Sequence, residues 1–202
     1  MNKVYRIVGG ILQTNSYVVT ANDVDCIVVD CCDADRLSEF FAENNLKCRA
    51  LLLTHAHFDH CKDAAVLQKA GAEIYVHGDD VALIDGKGNL AEAMGFEFIS
   101  FRPDVIVNDG DILDLYGVRV KVIHTPGHTS GGVCYLSENF LFSGDTLFKE
   151  SVGRTDFPTG DRKQLSDSVK EKLFTLNQDY DVLPGHGEPT RLFFERSNNV
   201  YV

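Results

Sequence analysis

No stretch of this chain is apolar for the roughly 20 residues a bilayer-spanning helix needs. Its first residues, Met1-Asn2-Lys3-Val4-Tyr5-Arg6, carry charge where a secretion signal needs an apolar core. Positive charge is scarce: 19 Lys and Arg face 30 Asp and Glu, a net charge of −11. That balance excludes bulk attraction to nucleic acid or to an anionic membrane. Cys26, Cys31, Cys32, Cys48, Cys61 and Cys134 have neither zinc-knuckle nor small-disulfide spacing. No low-complexity tract or linker interrupts the chain. These absences predict a cytoplasmic protein with reduced thiols, a single domain over residues 1–202, and no membrane or nucleic-acid partner. A small-molecule substrate is expected, and monomer and homodimer both fit.

The composition, 44% hydrophobic and 24% charged, is ordinary for a globular chain. Predicted strands Lys3–Val8 and Asn15–Thr20 flank the turn at Gly9-Gly10, and Cys26–Asp30 is a third. Residues 34–45 place Leu37, Phe40 and Phe41 at helical spacing. A buried strand over 49–54 leads to a His-rich loop, a helix over Lys62–Ala70 and a strand at Glu73–His77. Residues 78–95 mix short helices with Gly86, Gly88 and Gly95. In the second half, Val118, Val120 and Val122 alternate with Arg119 and Lys121, the pattern of a half-buried strand. A hairpin pairs Val133–Leu136 with Phe140–Phe142, a helix spans 162–175, and a last strand at Asp181–Leu183 precedes a short helix. Strands interleaved with helices and hairpins predict an α/β (α+β) fold of two mixed sheets with helices outside.

The chemistry concentrates in Thr54-His55-Ala56-His57-Phe58-Asp59-His60, three imidazoles and a carboxylate at the end of a buried strand. Neutral imidazole and carboxylate are good ligands for first-row metals. Four such groups in six positions suggest two ions, because one could hardly use them all and still admit a substrate. More candidate ligands lie in His124-Thr125-Pro126-Gly127-His128-Thr129, Ser143-Gly144-Asp145-Thr146 and Pro184-Gly185-His186-Gly187, each after a predicted strand. Alone, Asp59 would read as a helix N-cap and Asp145 as a turn residue; beside His55 and His57 those readings lose their force.

With Gly153-Arg154-Thr155-Asp156 as a fifth match, the motif set resembles the metallo-β-lactamase superfamily, and within it the small members related to glyoxalase II, the hydroxyacylglutathione hydrolases. The resemblance runs from about Asn15 to the C-terminus and implies a four-layer αββα sandwich. It implies that His55, His57 and His128 hold one metal, that Asp59, His60 and His186 hold a second, and that Asp145 bridges them. Two zinc ions are expected, with iron or manganese as alternatives. The implied reaction is hydrolysis of a thioester of the S-lactoylglutathione type by a metal-ionised water, with Asp59 orienting the nucleophile. Arg154 and Lys149 are expected near the substrate, and Asp30 and His124 behind the ligands.

The chain departs from the family pattern in three places. Cys61-Lys62-Asp63 follows the His-rich motif where glycines are common, and Cys31-Cys32 replaces Pro-Gly after Asp30. Three thiols are therefore expected near the cleft, as small apolar fillers. Asp156 stands where the family has a Tyr near its glutathione site. No helical domain with basic glutathione contacts follows His186, so a more open cleft is expected. Two other activities share the fold: a persulfide dioxygenase, with one iron on His55, His128 and Asp145, and a lactone or ester hydrolase.

Overall fold

The computed structural model describes residues 1–85 and 87–202; Gly86 lies outside the described residues. The first sheet holds β1 (Lys3–Gly9), β2 (Thr14–Thr20), β3 (Asp25–Val29), β4 (Lys47–Leu52), β5 (Glu73–His77) and β6 (Val105–Val107), side by side in chain order. β1, β2 and β3 pair antiparallel, and β3 through β6 run parallel. The second sheet contains β7 (Ile112–Leu115), β8 (Val118–His124), β9 (Val133–Ser137), β10 (Phe140–Gly144), β13 (Asp181–Pro184) and β14 (Thr190–Arg191), in the order β14-β13-β10-β9-β8-β7. A two-stranded ribbon, β11 (Leu147–Phe148) with β12 (Ser151–Val152), stands apart from both.

Strand alternation builds the layers. In β2, β3 and β4 the residues Tyr17, Val19, Ile27, Val29, Ala50 and Leu52 face the second sheet, where they meet Val120, Val122 and Tyr135. Their sequence neighbours Val18, Cys26, Val28 and Leu51 point the other way, toward Leu37 and Leu67. These two belong to α1 (Ala34–Asn44) and α3 (Ala64–Lys69). Behind the second sheet, Ile123, Leu141 and Val182 pack on Val169, Leu173 and Leu192. Three apolar clusters thus separate four layers, the expected αββα sandwich.

Both helices near the site are found with local departures. The run expected over Lys62–Ala70 is α3, and the His-rich loop before it holds a separate turn, α2 (Phe58–Cys61). The His60 carbonyl accepts from the Cys31 N–H at 2.7 Å, so it is not free to continue the helix into Ala64. The helix expected over 162–175 begins as α5 (Arg162–Asp167) and widens into a π-helical stretch over Ser168–Leu173. There the Ser168 hydroxyl donates to the Pro126 carbonyl (2.8 Å). Short helical turns occupy Gly78–Asp80, α4 (Val81–Ile84), Lys87–Asn89 and Glu92–Met94, and α6 (Leu192–Asn198) closes the chain.

The carboxyl ends of β3, β4 and β5 lie on one edge of the first sheet, and those of β8, β10 and β13 share an edge of the second. Hydrogen bonds stitch the two edges together. Val133 N–H donates to the Thr54 carbonyl (2.8 Å) and Asn15 N–H to the Gly185 carbonyl (2.7 Å). The Tyr135 and Tyr17 hydroxyls cross the same gap to the carbonyls of Leu53 (2.8 Å) and Pro184 (2.7 Å). Loops leaving six strands therefore open onto one seam.

Leu52, fully buried between the sheets, tests this packing. Leu52→Ala should cost about 2–5 kcal/mol of unfolding free energy. Urea denaturation should show a lower midpoint with an unchanged slope.

Candidate metal centre

The seam collects every residue expected to bind metal. His57 Nδ1 and His128 Nε2 lie 2.9 Å apart, and His60 Nε2 is 3.3 Å from His186 Nε2. Asp145 stands between the pairs. Its Oδ1 is 3.3 Å from His60 Nε2, and its Oδ2 is 3.5 Å from His128 Nε2 and 3.6 Å from His186 Nε2. Asp59 Oδ2 lies 3.1 Å from His186 Nε2 and 3.4 Å from His60 Nε2. The His55 ring centroid is 4.1 Å from that of His60 and 4.7 Å from that of His128. Asp59 does not cap a helix; the residue before α2 is His57, and the Asp59 carboxylate accepts from the Thr14 hydroxyl (3.2 Å).

The ligand rings are anchored from behind. Asp30 leaves β3 in a left-handed conformation (φ 58°) and accepts from the Thr54 N–H and hydroxyl, each at 2.8 Å. Its Oδ2 also lies 2.8 Å from His60 Nδ1. Thr54 Oγ1 is 3.1 Å from His55 Nδ1. His128 Nδ1 donates to the Arg154 carbonyl (2.6 Å) and His186 Nδ1 to that of Leu12 (3.2 Å). Fixing one ring nitrogen sets the tautomer and aims the other.

Among the described residues, three buried side-chain atoms have no hydrogen-bond partner: His55 Nε2, His57 Nε2 and Asp145 Oδ1. An unpaired buried polar atom costs about 1–3 kcal/mol, and all three belong to one cluster. Two triads, His55 with His57 and His128, and Asp59 with His60 and His186, each offer three donor atoms within 4.8 Å of one another. The donor set is nitrogen and oxygen without thiolate, which suits a first-row divalent ion. The residues fit a metal pair.

Protonation divides the cluster. Burial, then the neighbouring imidazoles, holds His55 far below the ordinary histidine range, and burial with His128 pushes His57 down to about 3. His60 and His186 go the other way. Burial opposes their charge, but Asp145 and Asp59, with Asp30 for His60, raise both. Burial raises Asp145 and Asp59, but His60 and His186 together, with His128 for Asp145, hold both below the usual carboxylate range.

Sequence reasoning missed Asp80. This fully buried carboxylate accepts from the Ala56 N–H (2.9 Å), the Thr129 hydroxyl (2.8 Å) and the Gly131 N–H (2.7 Å). It therefore ties the His55–His57 loop to the loop of His128. The available signal was positional: Asp80 follows β5, the parallel neighbour of β4, and ligands gather where such strands end.

Other expected residues lie farther out. His124 stacks on His77 (centroids 4.0 Å apart) and donates to the Ser130 carbonyl (2.9 Å), so it supports the loop and touches no ligand ring. The Arg154 guanidinium forks onto Asp156 (2.7 and 2.9 Å) and lies 4.3 Å above the Phe157 ring. Lys149 is exposed and outside the residues that line the cleft. Cys31 packs in the helix-side core, and the Cys61 thiol donates to the His57 carbonyl (3.2 Å). Cys32 lines a recess beside Thr14 and Asp59. Burial raises all three thiols, Cys32 to about 11, so they behave as fillers.

The profile of the Metallo-beta-lactamase superfamily matches residues 9–186. The chain belongs to that superfamily. It is 34% identical to the hydroxyacylglutathione hydrolase GloC of Haemophilus influenzae, an alignment spanning 94% of this chain and 93% of the relative. Its fold matches the crystal structure of BLEG-1, a B3 metallo-β-lactamase, with a TM-score of 0.92 at 33% identity, covering 100% of this chain and 99% of that one. It also matches TTHA1623 in a di-iron-bound form, with a TM-score of 0.88 at 35% identity over 98% and 100% of the two chains. No helix among the described residues is long and apolar enough to cross a membrane.

Two predictions follow from this geometry. In Asp80→Asn an amide NH2 must face either the Gly131 N–H or the Ala56 N–H and Thr129 hydroxyl, while Asp80→Ala leaves three donors unpaired. The alanine variant should lose about 3 kcal/mol of stability and both should hold metal less tightly, read by urea titration and by metal retention on dialysis. The second concerns protons. In the metal-free protein the carboxylates around His60 hold its proton well above the ordinary histidine range, whereas His55 and His57 are held below it. Loading the Asp59–His60–His186 side must therefore displace the His60 proton and weaken as pH falls, while His55 and His57 have none to give up. Calorimetry in buffers of different ionisation enthalpy should show this release, and metal retention on dialysis should fall as the pH is lowered.

Proposed function

We propose that this protein is a binuclear metal-dependent hydrolase that cleaves thioesters of the hydroxyacylglutathione type. The observation that carries the reading is the convergence of five imidazoles and two carboxylates on one seam, with three of their buried atoms unpaired. In this reading His55, His57 and His128 hold one cation, Asp59, His60 and His186 hold the other, and Asp145 spans both. Zinc is the expected metal, and iron and manganese suit the same donors. When bound, such cations polarise a carbonyl and bring the pKa of a water from 15.7 toward about 7.

The chain's own groups supply the rest. Asp59, partly exposed and fixed by Thr14 and His186, orients the attacking water and accepts its proton. Asp30 and the carbonyls of Arg154 and Leu12 keep the ligand rings aimed. Water adds to the thioester carbonyl carbon, the carbon–sulfur bond breaks, and the thiolate takes up a proton as it leaves. The 34% identity to a hydroxyacylglutathione hydrolase supports the thioester class.

The test is elemental analysis of one preparation followed by S-lactoylglutathione, glutathione persulfide, a homoserine lactone and nitrocefin. Two equivalents of metal and turnover of the thioester are expected. Oxygen uptake with the persulfide, or turnover confined to the lactone or nitrocefin, would replace the reading. Asp145→Ala should lose metal and activity together, by at least about a hundredfold in rate, whereas His124→Ala should keep both metals. Full metal content in Asp145→Ala would remove the bridging role.

A further inference from the structure

Resting on the thioester reading, we infer that the cleft selects its substrate by an apolar group on the thioester and leaves the ionised ends of a thiol such as glutathione in solvent. The cleft over the metal ligands has a volume of about 480 Å³, within the range of sites that enclose a small organic ligand. Leu12, Phe58, Leu90, Met94, Phe148 and Phe157 form most of its wall. Aromatic rings flank both halves of the ligand cluster. Phe157 stands edge-on to His57 (5.6 Å), and Phe148 stands edge-on to His186 (6.2 Å). Whichever side of the carbonyl faces each half, the first surface it meets is apolar.

The rim repeats the pattern. Leu12, in the loop after β1, is 40% exposed, and Met94, in the turn Glu92–Met94, is 53% exposed. Large apolar side chains from two separate segments thus stand open to water at the mouth of one cleft. A bound apolar group would cover them and gain their transfer free energy.

Charge argues the same way. Among the described lining residues Arg154 is the one Lys or Arg, and both arms of its fork are on Asp156 while its flat face covers Phe157. Lys62, in the adjoining recess, is 3.6 Å from Asp63. The lining carboxylates, Asp59 and Asp145, belong to the metal-ligand cluster. A substrate carboxylate seated on the wall away from that cluster would lose hydration without gaining a free lysine or arginine, which is unfavourable. An apolar substituent has no such penalty.

The experiment uses the metal-loaded protein and two matched series. One lengthens the acyl group from acetyl to butyryl to hexanoyl on N-acetylcysteamine and, in parallel, on glutathione. The other keeps acetyl and changes the thiol from 2-mercaptoethanol to benzyl mercaptan. In at least one series kcat/KM should rise by about two- to fourfold per added methylene, the ratio that burial of a methylene gives; benzyl mercaptan should exceed 2-mercaptoethanol if the thiol side is the one read. Matched glutathione and N-acetylcysteamine thioesters should differ by less than about threefold, because glutathione's two carboxylates and its ammonium stay in solvent, where an ion pair contributes little. The double variant Leu12→Ser with Met94→Ser should flatten the slope. Turnover with flat dependence in both series, an unchanged slope in the double variant, or a large salt-sensitive preference for glutathione would overturn the inference while leaving the hydrolase intact. No turnover of any thioester would overturn the thioester reading, and this inference with it.

Discussion

Imidazole nitrogens 2.9 Å apart, with a carboxylate oxygen 3.5 Å from one of them, do not hold that arrangement unaided. Neutral rings lose water when buried, and the neighbouring carboxylates repel one another. The cluster exists because loops from six strands open on one stitched seam and each leaves its side chain little freedom. Asp30 carries the largest share of that constraint. One carboxylate fixes the Thr54 backbone, the Thr54 hydroxyl and the ring of His60, and through Thr54 it reaches His55. Asp80 does the same between the His57 and His128 loops. Two buried carboxylates thus position four of the five clustered imidazoles.

The same constraint divides the cluster electrically. Where imidazoles outnumber carboxylates, around His55 and His57, burial keeps the rings neutral. Where Asp59, Asp145 and Asp30 surround His60, the ring holds a proton despite complete burial. A protonated His60 is a stand-in for a cation, and it sits between carboxylates that would otherwise repel. Charge balance on that side is met by a proton or by a metal, so exchanging one for the other disturbs the surroundings little. On the other side the buried Nε2 atoms of His55 and His57 have no partner, which is where a cation is missing.

Much of this was legible in the chain because the informative residues are local. Val118, Val120 and Val122 declared their strand by alternation, and Leu37, Phe40 and Phe41 declared α1 by helical spacing. The His-rich loop declared its chemistry by density of ligands. What stayed hidden depends on contacts far apart in sequence. The break between α2 and α3 comes from Cys31 taking the carbonyl of His60, 29 residues away. Asp80 lies 24 residues from Ala56 and 51 from Gly131, and nothing near it in the chain shows that its partners are ligand loops. Thr54 was visible within the motif, yet its work of joining Asp30 to His55 needed coordinates. Lys149, expected near the substrate, is exposed in the turn between β11 and β12, directly after the cleft residue Phe148.

The ligand cluster and most of the wall come from different parts of the chain. The cluster is set by strand ends whose register cannot slip without moving a core residue to the wrong face. Much of the wall comes from the loop after β1, the turns at 87–94 and the segment after β12, outside the two main sheets, while Phe58 sits between His57 and Asp59 and Phe148 lies in β11. In this chain Asp156 engages the one lining guanidinium, and Arg154 is left with two duties: its backbone carbonyl aims His128 and its flat face covers Phe157. The rest of the cleft is bounded largely by rings and aliphatic side chains. Selection in such a cleft follows the area a ligand can cover, so the substrate is defined by shape and apolarity more than by charge.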